Sequence, residues 1–367
     1  MRAPDGLPVA RIGDEDARPD DVLGLGAELR QRGDDDLEAS LRLLIRVGGV
    51  ATDRGGAGNV DVLADAESAR VPDGVGERGD CRDEAASHAP SIDVVEALRL
   101  IDGWDAPGAG AGVVGAGGDV ATRGAGETVH PWASVTKLLT GLTFLVAVEE
   151  GTVDLDEPAG PPGATLRHLL AHASGLPLDG AEPMAEPGRR RIYSNTGIEV
   201  AAELLAERAE MPFADYFAHA VAEPLGLRGS LAGSPAHAYS GSLADLLALG
   251  RELLAPTLVA PETVEEAATV QFPGLTGVLP GLGRMEPNDW GLTFELRDRK
   301  SPHWTGSRNS PRTFGHFGRS GTFLWVDPDA GLACGVLTGR PFGDWAKGAW
   351  PALSDAVLMN GSAEPKS

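Results

Sequence analysis

Ser134 and Lys137 stand three residues apart at the start of the most apolar helical stretch of the chain, Ala133 to Glu150. On a helix that spacing puts both side chains on one face, about a turn apart. A serine at a helix start also has a free backbone N–H near the positive end of the helix dipole. These are the needs of an acyl-transfer nucleophile: a partner to take its proton and a donor for a developing oxyanion. A lysine buried in such a helix loses solvation, which lowers its pKa and suits it to proton transfer. The same residues are also compatible with a capping serine and a lysine that snorkels to solvent. The chain has only four lysines (137, 300, 347 and 366) among 31 basic residues. One of them at this spacing therefore carries weight.

Two further groups have the right chemistry. Tyr193-Ser194-Asn195 follows Pro187-Gly188 and an arginine run, and precedes Thr196-Gly197. A phenol can serve as a base where nearby cations lower its pKa. An asparagine offers both an acceptor and donors, for a substrate amide and for a lysine. Without the first pair, this would be a loop with an aromatic anchor and a helix-capping Asn. His316-Phe317-Gly318 leads through Arg319 into a strand pair. Gly318 would allow a substrate backbone to approach, and the N–H of Arg319 could be a second oxyanion donor. Taken singly, His316 reads first as a satisfied structural histidine.

The elements that must carry these residues can be read from periodicity. A helix is expected from Ser91 to Gly103, then two Gly-rich strands within Gly112 to Thr122. After the apolar helix comes a helix-rich region over 152–270, with helices at Thr165 to His172, Gly197 to Arg208 and Ser242 to Leu254. Trp290 to Leu296 reads as a strand. Thr322 to Val326 and Leu332 to Thr338 flank the turn sequence Asp-Pro-Asp-Ala-Gly. Trp345 to Leu358 closes the fold as an amphipathic helix. Strands early and late, with helices between, imply an α+β domain over 91–360. Residues 1–90 form an acidic leader expected to be disordered or loosely packed, and 361–367 a tail. The leader has 11 arginines against 20 acidic residues, a net −9 of the formal −23 in 367 residues.

That charge argues against nucleic acid and anionic membrane as partners. No apolar run approaches a membrane span and no export signal is recognised, so the expected location is the cytoplasm. Cys81 and Cys334 do not make a disulfide framework, and Cys334 lies in an apolar run as a buried thiol. His168 and His172 have the i, i+4 spacing of metal ligands, but no Glu lies between them, so no metal is assigned and no cofactor is implied. The aromatic set Trp290, Phe294, Trp304 and Phe314 belongs to the core, with a share in walling an acyl pocket.

Ser-x-x-Lys, Tyr-Ser-Asn and His-x-Gly, in this order, resemble the serine β-lactamase and penicillin-binding protein superfamily. The branch is that of class C β-lactamases, D-alanyl-D-alanine carboxypeptidases and related esterases. Leu169-Leu170-Ala171-His172-Ala173-Ser174-Gly175-Leu176 adds to the likeness, which covers about 91–360. The resemblance implies a β-lactamase/transpeptidase-like fold, an antiparallel sheet flanked by helices with an inserted helical region. It also implies Ser134 as acylated nucleophile, with Lys137 and Tyr193 sharing proton transfer. Asn195 would hold the substrate amide and Lys137, His316 and Gly318 would border the substrate, and the N–H groups of Ser134 and Arg319 would form the oxyanion hole. Phe317 stands where the family usually has a threonine that serves a substrate carboxylate. Arg319 or Arg312 could replace it electrostatically. This departure favours an intracellular esterase or amidase over carboxypeptidase or β-lactamase activity on small ester, amide or β-lactam-like substrates. A catalytically inactive scaffold is the non-enzyme alternative, and oligomeric state is open.

Overall fold

A computed structural model describes residues 92–118 and 120–361. The acidic leader and the tail from 362 lie outside these residues. Helix α1 (Ile92–Ala97) continues as a 3-10 turn over Leu98–Gly103. Six strands form one sheet: β1 (Gly110–Gly115), β2 (Val120–Gly124), β3 (Glu295–Leu296), β4 (Phe314–Gly318), β5 (Thr322–Asp327) and β6 (Leu332–Leu337). Their order is β2-β1-β6-β5-β4-β3, and every neighbouring pair is antiparallel. The early strands thus join the late ones, with β1 paired to β6 from Gly110↔Leu337 to Gly115↔Leu332.

Helices cover both faces, and the period of two divides the core between them. Val114, Leu324, Val326, Ala333 and Leu337 pack on one side with helix α2 (Thr136–Glu149) and helix α4 (Leu243–Leu254), while α3 (Asn195–Ala209) lies between these two in sequence. Val113, Phe323, Trp325, Cys334 and Val336 pack on the other with α1 and the last helix, α5 (Asp344–Gly361). Cys334 is buried, as expected. Trp325 Nε1 donates to Ser354 Oγ at 3.0 Å and ties β5 to α5. The glycines of the central strands have a packing reason. A Cβ on Gly335 would stand 2.7 Å from Leu246 Cδ2, and one on Gly112 2.5 Å from Leu247 Cδ1, so α4 can lie close against the sheet.

Between β2 and β3 the chain is rich in helices, including α2, α3 and α4. Helix α2 is buried at every residue from Thr136 to Ala147, which places it in the interior. Several features differ from expectation, the strand Phe314–Gly318 and the ribbon of Gly277–Leu279 with Gly283–Met285 among them. The strand over Trp290 to Leu296 is confined to Glu295–Leu296, because Gly291 N–H donates back to Phe294 O (2.9 Å) and Thr293 has a φ of +61°. A small sheet of His130–Pro131, Tyr239–Gly241 and Ser230–Leu231 was not expected from the sequence. Its strands of two and three residues are too short to show alternation.

The close approach of α4 predicts opposite outcomes for two glycines. Gly335→Val, which must displace Leu246, should destabilise the protein by about 1–3 kcal/mol in urea unfolding. Gly348 in α5 is exposed, and a Cβ added there would meet nothing within 4 Å, so Gly348→Ala should stabilise by about 0.5–1 kcal/mol.

Candidate active site

Ser134 sits in a 3-10 turn, Ala133–Val135, that runs directly into α2. The turn is held from two sides. Trp132 N–H donates to Tyr239 O (2.9 Å), and Tyr239 N–H donates to Thr136 Oγ1 (3.1 Å). From the other side Thr322 Oγ1 donates to Trp132 O at 2.9 Å. Ala133 has a φ of +46°, in the left-handed region that costs a non-glycine residue energy. The surrounding bonds maintain it. Gly318 explains itself here. A Cβ on it would collide with Trp132 O and lie 3.1 Å from the Ala133 Cβ. What approaches this glycine is the turn that carries Ser134, rather than a substrate backbone.

Lys137, one turn along, has no exposed surface. Its Nζ donates to Asn195 Oδ1 (2.7 Å) and to Ala236 O (2.9 Å), and lies 4.8 Å from the centre of the Tyr193 ring. Burial pulls its pKa down to about 7, against the smaller opposing pull of Glu199 and Asp179. The two acceptors match the two hydrogens of a neutral amine, which leaves its lone pair free for a proton.

Tyr193 and Asn195 arrive on the loop that enters α3. Ser194, and not Asn195, caps this helix: its Oγ accepts from Gly197 N–H (2.8 Å) and donates to Pro177 O (2.6 Å). Asn195 is therefore free to face Lys137. Its Nδ2 donates to Asp179 Oδ1 (3.1 Å), a pairing that fixes which way the amide points. Burial raises the Tyr193 pKa above the ordinary phenol value, against a lowering by its hydrogen bond with Ser134. The condition under which the phenol would be a resting base, a pKa lowered by nearby cations, is thus not met. His316 Nδ1 faces Phe317 O at 2.7 Å, so Nδ1 carries the ring proton and Nε2 is left to accept from Tyr193 Oη (3.4 Å). Burial, reinforced by Lys137, lowers the His316 pKa to about 3 and keeps the ring neutral.

Ser134, Tyr193, Asn195, His316 and Arg319 all line one cavity of about 440 Å³. Leu178, Leu279, Trp290, Phe317 and Phe342 supply apolar walls. Phe317 also reaches into the core, with its ring 4.9 Å from Phe342, 5.6 Å from Trp304 and 6.1 Å from Trp350. Arg312 is elsewhere, paired with Asp329 at 2.9 Å. Asp179, His237, Leu279 and Phe342 were not anticipated. Leu279 ends the short strand Gly277–Leu279, the other three come from irregular segments, and no motif marks any of them. Among the described residues no group of His, Cys, Asp and Glu could hold a metal. His168 is used in the capping box with Thr165, and His172 lies behind Tyr193.

The Beta-lactamase family model matches residues 99–357. The chain belongs to the beta-lactamase family. Within this family of serine hydrolases, it is similar to a beta-lactamase from Mycobacterium bovis at 52% identity and a TM-score of 0.72, over 73% of this chain and 100% of that one. It is 28% identical over 139 residues to the D-alanyl-D-alanine-carboxypeptidase/endopeptidase AmpH of Escherichia coli K12, covering 28% of this chain. That match spans only about a third of AmpH, 36% of its length. EstCE1, described as a hydrolase with promiscuous acyltransferase activity, shares the fold at a TM-score of 0.59 and 19% identity, over 72% of this chain and 97% of that one. No described helix is long and apolar enough to cross a membrane.

In the family fold, the contact between Gly318 and the serine turn should be intolerant of bulk. Gly318→Ala has a backbone carbonyl in its way, and should cost about 1–3 kcal/mol in urea unfolding.

Proposed function

We propose that the protein is a serine hydrolase that forms an acyl-enzyme at Ser134 on small esters or amides with apolar acyl groups. The observation that carries this reading is the fully buried Lys137, held by Asn195 and Ala236 with its pKa near 7, one turn from Ser134. The apolar walls and the phenyl ring at 317 support the acyl preference, because nothing at that position can hydrogen-bond a substrate carboxylate.

The chemistry then runs as follows. Ser134 Oγ attacks the carbonyl carbon, and its proton passes to the Lys137 amine, directly or through the Tyr193 hydroxyl, which shares a hydrogen bond with Ser134. The N–H groups of Ser134 and Arg319 receive the oxyanion. Collapse of the tetrahedral centre breaks the ester or amide bond, and the leaving group takes a proton back from Tyr193, which Lys137 resupplies. Water repeats the sequence on the acyl-enzyme and frees the acid.

A second reading has its own support. Arg319 lines the cavity and has no ion-pair partner among the described residues, which suits a carboxylate-bearing substrate of carboxypeptidase or β-lactamase type. The similarity to the M. bovis beta-lactamase and to AmpH points the same way.

Incubation with a panel of p-nitrophenyl esters and with a fluorescent penicillin separates the two. We expect ester turnover that falls at least ~10³-fold in Ser134→Ala. Stable penicillin labelling of Ser134 with poor ester turnover would favour the second reading. Absence of both would leave the scaffold role. The pH dependence is a separate check. Loss of the Lys137 proton creates the base, so kcat/KM should rise with pH through a midpoint near 7 and fall away in acid. A flat profile from about pH 5.5 to 8.5 would count against Lys137 as the base.

A further inference from the structure

The two amides that flank Tyr193 both donate to one residue, His172. Ile192 N–H reaches the His172 carbonyl at 2.9 Å, and Ser194 N–H reaches its ring Nδ1 at 3.3 Å. The ring supports Tyr193 from behind, with ring centres 4.7 Å apart, and meets Trp290 edge-on at 4.8 Å. His172 is 1% exposed and is not among the residues that line the cavity. It therefore does not touch substrate.

Its own conformation is unusual. His172 has a φ of +55°, in the left-handed region, and this orientation lets its carbonyl and its ring face the same loop. Nδ1 can accept from Ser194 only if it carries no proton. The proton must then be on Nε2, and Nε2 is buried without a hydrogen-bond partner among the described residues. A fold tolerates a buried, unsatisfied donor when the rest of the group has a task. Here that task is at the other nitrogen.

We infer that His172 is a positioning residue that fixes Tyr193 relative to Ser134 and Lys137 by clamping the backbone on both sides of it. The inference rests on the proposed role of Tyr193 as the proton carrier. It does not follow from Tyr193 merely lying in the cavity. A phenol held at one end of a loop could swing, and a displacement of about 1 Å is enough to cost ~10²-fold in rate.

The test compares His172→Asn with His172→Gly. Both substitutes tolerate the left-handed backbone, and both remove the ring. Only asparagine places an acceptor, Oδ1, where Nδ1 was. We expect His172→Asn to keep kcat within about 3-fold of wild type, and His172→Gly to lose about 10- to 100-fold in kcat with KM changed by less than about 3-fold. Equal kcat in the two variants, whether both native or both lost, overturns the inference. Nitrogen-15 NMR of the wild-type imidazole gives a readout that needs neither activity nor a stable variant. A ring protonated at Nε2 with Nδ1 as acceptor is expected, and a ring protonated at Nδ1 overturns the clamp. Failure of the underlying reading looks different: wild-type turnover would then be unchanged by Ser134→Ala.

Discussion

Lys137 has no surface in contact with water, and in such a place the ammonium form loses hydration that neutral acceptors replace only in part. Much of the site can be understood as the way the fold meets that cost. Around it helix α2 offers threonines and apolar side chains, and among the described residues no carboxylate bonds the charged form. Two oxygens are brought to it instead, one from the start of α3 and one from the loop that joins Ser230–Leu231 to Tyr239–Gly241 in the small sheet. The same loop and sheet hold the turn of Ser134 through Tyr239. One buried amine thus couples its own helix to segments that are 58 and 99 residues away from it in sequence.

The cavity that opens on Ser134 is apolar for most of its wall, with charge confined to Asp179 and Arg319. Apolar walls bind by area and discriminate weakly between neighbouring chain lengths. Phe317 connects this property to the fold. Its ring is packed among Trp304, Phe342 and Trp350, on the side of the sheet covered by α1 and α5. A threonine there would leave a cavity in that cluster. The side chain that departs from the family pattern is therefore held in place by the core, and the pocket takes its character from the same packing.

How far this was legible in the sequence depended on distance along the chain. Ser134 and Lys137 are local, and helix periodicity alone placed them a turn apart. The strands β1, β5 and β6 and the helices α2, α3 and α4 were also readable, since each repeats its pattern over several residues, whereas β4 was not. Asn195 shows where local reasoning stopped. It resembles a helix cap, yet Ser194 beside it takes the cap, and only the tertiary contact with Lys137 distinguishes the two. Gly318 was recognised as a site of close approach, but its neighbour, the Trp132 carbonyl, lies far earlier in the chain and carries no signature. Trp290 to Leu296 looked like a strand because hydrophobic alternation does not reveal a left-handed residue at Thr293. His172 read as a weak metal-ligand pattern, because spacing shows which face a side chain takes and not what lies opposite it.

A second buried lysine makes the chemistry of the first clearer. Lys300 Nζ donates to Glu295 Oε1 (2.5 Å), Asp289 O (2.6 Å) and Leu296 O (2.7 Å), three acceptors for the three hydrogens of an ammonium. His303 and Lys300 together hold the Glu295 carboxyl down to about 2, so this carboxylate remains ionised. Burial lowers the Lys300 pKa too, but Glu295 opposes it at contact distance. Removing the proton from Lys300 would leave Glu295 without its counter-charge, which makes that pair a fixture of the wall behind Trp290. Lys137 has two acceptors, neither of them charged. Its proton can leave without stranding a partner, and can return without displacing one. The two lysines are buried alike, and what separates a structural cation from a group able to exchange its proton is the number and charge of the oxygens the fold gives it.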